Sequence, residues 1–214
     1  MLNIQRFVCN MFQENCYVVS DETKECTIID CGAFYEEEKK AILDYINSNK
    51  LLPKHLICTH AHIDHNFGNQ TIYKAFGLRP EVCADDNMLM SQLREQAFSF
   101  IGLNYCEEIP NVKWYFSDGD TISFGSHVFD ILKTPGHTPG SVFFYCKDES
   151  VAFSGDTLFK FSIGRTDFEF GSYDDIIKSL KNIKAYLPAE TTILPGHGDK
   201  TTLKEEITYN PYFK

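Results

Sequence analysis

Three histidines fall within six residues, His60-Ala61-His62-Ile63-Asp64-His65, in a chain that holds seven. Imidazole and carboxylate so concentrated are the donors of a metal centre; the mixture suits Zn²⁺ or Fe²⁺, whereas an all-oxygen set would favour Mg²⁺ or Ca²⁺. Along an extended segment positions 60, 62 and 64 point one way, and His65 follows Asp64, so the loop can present ligands to two ions. Three further stretches place a donor beside glycine or proline after an apolar run: Thr134-Pro135-Gly136-His137-Thr138-Pro139-Gly140-Ser141, Phe153-Ser154-Gly155-Asp156-Thr157 and Leu194-Pro195-Gly196-His197-Gly198. There the backbone can turn a side chain out of a strand and into a site. His55 and His127 lie on predicted strands outside these motifs and read as packing or surface residues.

The elements that must position these donors follow from periodicity. Leu2–Cys9, Cys16–Ser20 and Cys26–Cys31 read as a strand meander, and Tyr35–Asn49 as a helix with Ala41, Ile42, Tyr45 and Ile46 on its apolar face. His55–Cys58 is a short strand and Thr59–His65 a loop. Asn66–Phe76 is a helix closed by Gly77, and Glu81–Ala84 a strand. Asp85–Phe100 reads as a helix and Ile101–Asp118 as loop, so 85–118 looks like an insertion on a scaffold. Strands follow at Thr121–Phe124, His127–Leu132, Ser141–Cys146 and Val151–Ser154, then a helix at Tyr173–Tyr186 and a strand at Thr192–Leu194. Strands flank helices in both halves, which suggests an α/β fold of two sheets between outer helices, αββα.

With 214 residues, 43% of them hydrophobic, one domain spanning 1–214 is expected. A formal net charge of −10, from 20 Lys+Arg against 30 Asp+Glu, leaves no cationic excess for a phosphate backbone and argues against nucleic acid. The N-terminal residues show neither a signal peptide nor an apolar run long enough to span a bilayer, so a cytoplasmic protein without a membrane partner is expected. The eight cysteines sit at irregular spacings and read as free, mostly buried thiols.

Taken together, the four motifs resemble the metallo-β-lactamase superfamily over nearly the whole chain, and within it the hydroxyacylglutathione hydrolase (glyoxalase II)-like branch. The resemblance implies a dinuclear site: His60, His62 and His137 on one divalent ion, Asp64, His65 and His197 on the other, and Asp156 bridging them. Zn is the expected metal, with Fe or Mn as substitutes. Asp30 in Ile-Ile-Asp-Cys-Gly matches the family's D-x-G element and would support the ligand loop from behind. The expected chemistry is attack of a metal-bridging hydroxide, oriented by Asp64, on a small thioester, whose thiolate leaves with little acid assistance. Leu158–Phe168 is similar to the stretch after the bridging Asp in that branch, and makes Lys160 and Arg165 candidates for binding a carboxylate-bearing small molecule. Alternatively, Arg165 could pair with Asp167 and merely fix the loop. Glyoxalase II proper continues into a helical C-terminal domain that supplies much of its glutathione site, whereas these residues end at Lys214. Aromatics of the insertion (Phe98, Phe100, Tyr105, Trp114, Tyr115) are then candidates to wall the cleft. A mononuclear-iron persulfide dioxygenase shares the fold and a Gly-Arg-Thr-Asp-Phe stretch, but it would leave Asp64, His65 and His197 without a task. A non-catalytic metal-binding module is the remaining alternative.

Overall fold

Strict two-residue alternation along the strands decides the layering of the chain. The computed structural model describes all 214 residues. Its first half holds β1 (Asn3–Cys9), β2 (Glu14–Ser20), β3 (Glu25–Ile29), α1 (Glu36–Ser48), β4 (Leu52–Ile57), α2 (Asn69–Phe76), β5 (Pro80–Cys83), α3 (Asn87–Ser91), α4 (Leu93–Ile101) and β6 (Trp114–Phe116). The second half holds β7 (Thr121–Phe124), β8 (His127–Lys133), β9 (Val142–Cys146), β10 (Val151–Gly155), β11 (Leu158–Phe159), β12 (Ser162–Ile163), α5 (Tyr173–Tyr186), β13 (Thr192–Pro195), β14 (Thr201–Thr202) and α6 (Leu203–Tyr209). The strands make two six-stranded sheets, in the orders β1-β2-β3-β4-β5-β6 and β14-β13-β10-β9-β8-β7. β3 to β6 run parallel, as do β10 and β13, and the other neighbours within these two sheets are antiparallel.

On β2, Tyr17 and Val19 point into the core between the sheets while Cys16 and Val18 point outward under α1 and α2. On β9, Phe144 and Cys146 face inward, and Phe143 and Tyr145 face α5 and α6. Strands buried on both faces must be apolar throughout, and sheets with two apolar faces must be covered by helices. The result is the expected αββα sandwich. α5 supplies Leu180 and Ile183 to the outer core, with Ile176 also buried one turn earlier, and starts where Ser172 Oγ accepts from Asp175 N at 3.3 Å. Burying each such side chain stabilises by about 1.5–3 kcal/mol.

Several elements depart from the sequence reading. The helix expected over Asp85–Phe100 is broken at Gln92 into α3 and α4, preceded by a 3₁₀ turn at Ala84–Asp86. Part of the loop expected over 101–118 is β6, which pairs with β5 through Trp114, Tyr115 and Phe116. Only three residues long, it carries no periodicity that could announce it. The second helix begins at Asn69 rather than Asn66, the two-residue strands β11, β12 and β14 are too short to show a period, and α6 is an addition to the sequence reading. No helix is long and apolar enough to cross a membrane.

Candidate metal centre

All predicted ligands lie just beyond the C-terminal ends of strands. Asp30 follows β3, the His60–His65 loop follows β4, His137 follows β8, Asp156 follows β10 and His197 follows β13. Such ends are where loops of an α/β sheet converge into a crevice. The ligand loop is not extended throughout: His62 has φ −81° and ψ 148°, and Ile63–His65 then close one 3₁₀ turn. That turn, rather than simple alternation, sends Asp64 and His65 to one group of donors and leaves His60 and His62 in another.

The structure brings these donors together in adjoining groups. One ring nitrogen from each of His60, His62 and His137 lies within 4.8 Å of the others, as do single donor atoms of Asp64, His65 and His197. Asp156 touches both groups: Oδ2 lies 3.6 Å from His137 Nε2 and 3.4 Å from His197 Nε2, and Oδ1 lies 3.4 Å from His65 Nε2. Asp64 Oδ2 lies 3.3 Å from His197 Nε2. Bonds of ~2.0–2.1 Å in a tetrahedral shell put neighbouring ligand atoms about 3.3–3.4 Å apart, so these spacings are those of ligand-shell edges.

The nitrogens left free are decided by what the opposite ring nitrogen does. His65 Nδ1 faces Asp30 Oδ2 at 3.1 Å, His137 Nδ1 faces the Arg165 carbonyl at 2.7 Å, and His197 Nδ1 faces the Phe12 carbonyl at 3.0 Å. Each Nδ1–H therefore donates to oxygen and leaves Nε2, aimed into the cleft, as the atom that would bind an ion. His62 Nδ1 lies 2.9 Å from His137 Nε2, so both can offer lone pairs only if a cation stands where a single proton would otherwise be shared. His60 Nε2, His65 Nε2 and Asp156 Oδ1 are buried without a hydrogen-bond partner. Orphaned groups of this kind cost about 1–3 kcal/mol each, and three that converge are the mark of ligands that a divalent ion fits.

Electrostatics agree. Burial pushes His60 down and His62 to about 3, so both are neutral donors. Burial alone would also lower His65, but the carboxylates of Asp156, Asp64 and Asp30 hold it well above the ordinary range. Burial works against an ionised Asp156, yet the imidazoles of His197, His65 and His137 hold it well below the usual carboxylate value. The pocket is thus arranged around positive charge.

Asp30 takes the supporting place expected of it. Besides His65 it accepts from Thr59 N at 2.7 Å and Thr59 Oγ1 at 2.6 Å, pinning the start of the ligand loop. Other supports went unnoticed in the sequence. Buried Asp86 accepts from Ala61 N (2.9 Å), Gly140 N (2.6 Å) and Thr138 Oγ1 (2.8 Å), joining the ligand loop to the His137 turn. Gln96 accepts from Ile63 N and donates to the Ala61 carbonyl, and Asn10 donates to the Asp64 carbonyl. Glu14 is wholly buried, its carboxyl pushed well up, chiefly by burial, with Oε1 3.9 Å from His65 Nδ1. All lie far from the motifs in sequence, and no spacing rule finds them.

Gly196 shows why a glycine precedes the last histidine: a Cβ there would take the place of Asp156 Oδ1. The donors open into a 340 Å³ cleft walled by Phe12, Phe100, Phe159 and Phe168. Arg165 lines it, stacked 4.3 Å from the Phe168 ring centre and hydrogen-bonded to Asp167 at 2.8 and 2.9 Å. Lys160, paired with Arg165 in the sequence reading, does not line this cleft but a separate cavity with Arg6 and Lys200. Phe159 ends β11 with its ring toward His197, whereas Lys160 already lies in the turn before β12 and leaves the cleft. Of the insertion aromatics only Phe100 walls the cleft. Phe98 is exposed, Tyr105 donates to the Phe67 carbonyl, Trp114 packs against the core between the sheets, and Tyr115 bonds Asn87.

A sandwich of two sheets with a histidine and aspartate crevice at its strand ends defines a class, and the sequence profile of the metallo-beta-lactamase superfamily matches residues 9–197. The chain belongs to that superfamily. It is 34% identical, over 99% of its length and 98% of the relative's, to hydroxyacylglutathione hydrolase GloC of Haemophilus influenzae. Among solved structures it is similar to BLEG-1, described as a B3 metallo-beta-lactamase, with a TM-score of 0.89 and 28% identity over 99% of this chain and 100% of that one. It is similar also to TTHA1623 in a di-iron-bound form, with a TM-score of 0.85 and 31% identity over 97% of this chain and 99% of that one.

Proposed function

We propose that the protein is a dinuclear metal-dependent hydrolase of small thioesters, of the S-hydroxyacyl thiol type, in which all seven predicted ligands hold the two ions. The observation that carries this reading is the contact of Asp156 with donors of both histidine groups, its two oxygens facing His65 on one side and His137 and His197 on the other. The resemblance to GloC supports the substrate class. Imidazole and carboxylate donors suit Zn, and accept Fe or Mn.

Two divalent ions bound there would lower the pKa of a shared water toward ~7 and polarise the scissile carbonyl. The chain's own residues do the rest. Asp64 and Asp156 are held ionised at neutral pH and can accept a hydrogen bond from a nucleophilic water, fixing its direction of attack. The four phenyl walls give the donors an apolar surround, in which charge interactions are stronger than in open water. Arg165, with its fork shared with Asp167 at the rim, remains within reach of a substrate carboxylate. A thiol leaving group has a pKa of ~8.5 and departs as thiolate, so the absence of an acidic side chain poised to protonate it is no obstacle.

We read the 214 residues as one domain acting on a small molecule, with neither nucleic acid nor membrane as partner. Seven of the eight cysteines are buried free thiols, a use of cysteine that suits the cytoplasm. The test is turnover by zinc- and iron-loaded protein, with metal content measured on the same samples, against S-lactoyl-glutathione, other S-acyl thiols and a β-lactam. Hydrolysis of at least one thioester, faster than of the β-lactam, is expected. Turnover of no thioester by protein carrying two ions, or preference for the β-lactam, overturns the reading.

A further inference from the structure

The cavity that takes Lys160 measures 580 Å³, within the range of roughly 300–1,000 Å³ usual for small-molecule sites, and the metal chemistry makes no use of it. It opens where β1 of one sheet passes β13 of the other. Its floor is the margin of the core between the sheets: Tyr17 and Leu194 belong to that core and are buried, and the half-buried Ile4 and Val151 pack against it and give the cavity its exposed apolar surface. Its rim carries Arg6, Lys160 and Lys200 against one carboxylate, Asp199. In a chain with 20 basic and 30 acidic residues this is a local reversal of sign. Lys160 and Lys200 make no ion pair, and Arg6 has only Asp199, at 3.8 Å and 78% exposed, for a partner.

We propose that this cavity is a second ligand site, for an amphiphilic anion: a carboxylate or phosphate carried on an apolar chain. The apolar floor would cover the chain, which gains by leaving water. The cations would meet the head, Arg6 with its planar fork and the two lysines as mobile point charges. A purely apolar ligand would leave the cations unanswered, and a bare anion would leave the half-buried Ile4 and Val151 facing water. The site is separate from the metal cleft yet adjoins it. Arg6 Nη1 donates to the Gly198 carbonyl at 3.0 Å, next to His197, and Phe159, whose ring centre lies 6.0 Å from that of His197, is Lys160's neighbour. It stands whether or not the substrate of the metal centre is a thioester.

Calorimetric titration of the metal-loaded full chain with octyl phosphate and octanoate, below their micelle concentrations, tests it. Saturable binding at one per chain is expected, with inorganic phosphate and 1-octanol at least tenfold weaker. Lys200→Glu should weaken both amphiphiles at least tenfold and Val151→Trp, which fills the cavity, should abolish their binding, whereas Phe100→Ala on the wall of the metal cleft should change it less than twofold. Denaturation midpoints of each variant show whether it folds, and Lys200→Glu, at an exposed site, keeps the test alive should Val151→Trp fail. Octanol binding as tightly as octanoate, inorganic phosphate binding as tightly as octyl phosphate, or loss of binding in Phe100→Ala but not Lys200→Glu would each overturn the proposal.

Discussion

Asp30 is held at φ 51°, a left-handed conformation that costs a residue with a Cβ about 1–3 kcal/mol unless its surroundings enforce it. Here Thr59 and His65 enforce it, through three contacts to one carboxylate. Asparagine tolerates the same backbone and nearly the same shape but lacks the charge that keeps the His65 proton on Nδ1. Asp30→Asn should therefore lower metal affinity by about 10–100-fold, measured by competition with a chelator, while leaving the metal-free protein folded. Unchanged affinity would remove Asp30 from the working parts of the centre. The ligands themselves were legible because few side chains can hold a transition metal, and because glycine and proline mark where strands turn. Glu14 and Asp86 were illegible because what distinguishes them is who lies against them after folding. Lys160 departs from the reading because it falls in the tight turn of a hairpin too short to be seen in the sequence.

Among the elements, the contrast between legible and illegible follows length and alternation. β2 and β9 declare themselves as unbroken runs buried on both faces and α5 repeats its helical period, whereas β6 and the β11–β12 hairpin are too short to show either. Asp86, at the start of the insertion, ties that segment to two ligand turns. Asp86→Ala would orphan up to three donors at about 1–3 kcal/mol each, so a loss of about 3 kcal/mol is expected, or ~6–12 °C in the thermal midpoint. A change under ~2 °C would show that water replaces the carboxylate at no cost.

At the other end of the sandwich, His127 Nδ1 meets Asp21 at 3.0 Å and Nε2 meets Glu149 at 3.0 Å, joining the β2–β3 turn to the β7–β8 hairpin, with Glu22 and the N-terminal amine nearby. Burial would lower this imidazole, but the hydrogen bonds its ring nitrogens donate to Asp21 and Glu149 raise it, and Asp21 is held low, against burial, by the bonds it accepts from Thr23, Ser126 and His127. A raised histidine contributes fully below its unfolded value of ~6.5 and loses that contribution as pH rises through its folded value. A depressed aspartate contributes above ~3.9 and loses it as pH falls through its folded value. His127→Gln should then destabilise most at pH 5.5 and much less at pH 9, read from urea unfolding of chelator-treated samples. A pH-independent difference would mean that packing alone holds this corner.

For the whole molecule, Asp30, His60, His62, Asp64 and His65 come from the half that builds one sheet, and His137, Asp156 and His197 from the half that builds the other. Ions held by both halves, as proposed, would stabilise the assembled sandwich over anything less complete. With free metal at ~1,000 times the dissociation constant the gain is about 4 kcal/mol, so chelation should lower the thermal midpoint by ~8–16 °C. An unchanged midpoint would show that the donors do not act across the interface.

The chain passes from one sheet to the other once, through the exposed turn at 117–120. Cut there, the protein becomes two polypeptides, each owning a fraction of a coordination shell and one wall of a shared hydrophobic seam. Neither could hold a pair of ions by itself. Expressed apart and mixed, they should report their own reunion by recovering metal, which turns a hydrolase scaffold into a complementation switch gated by a divalent cation.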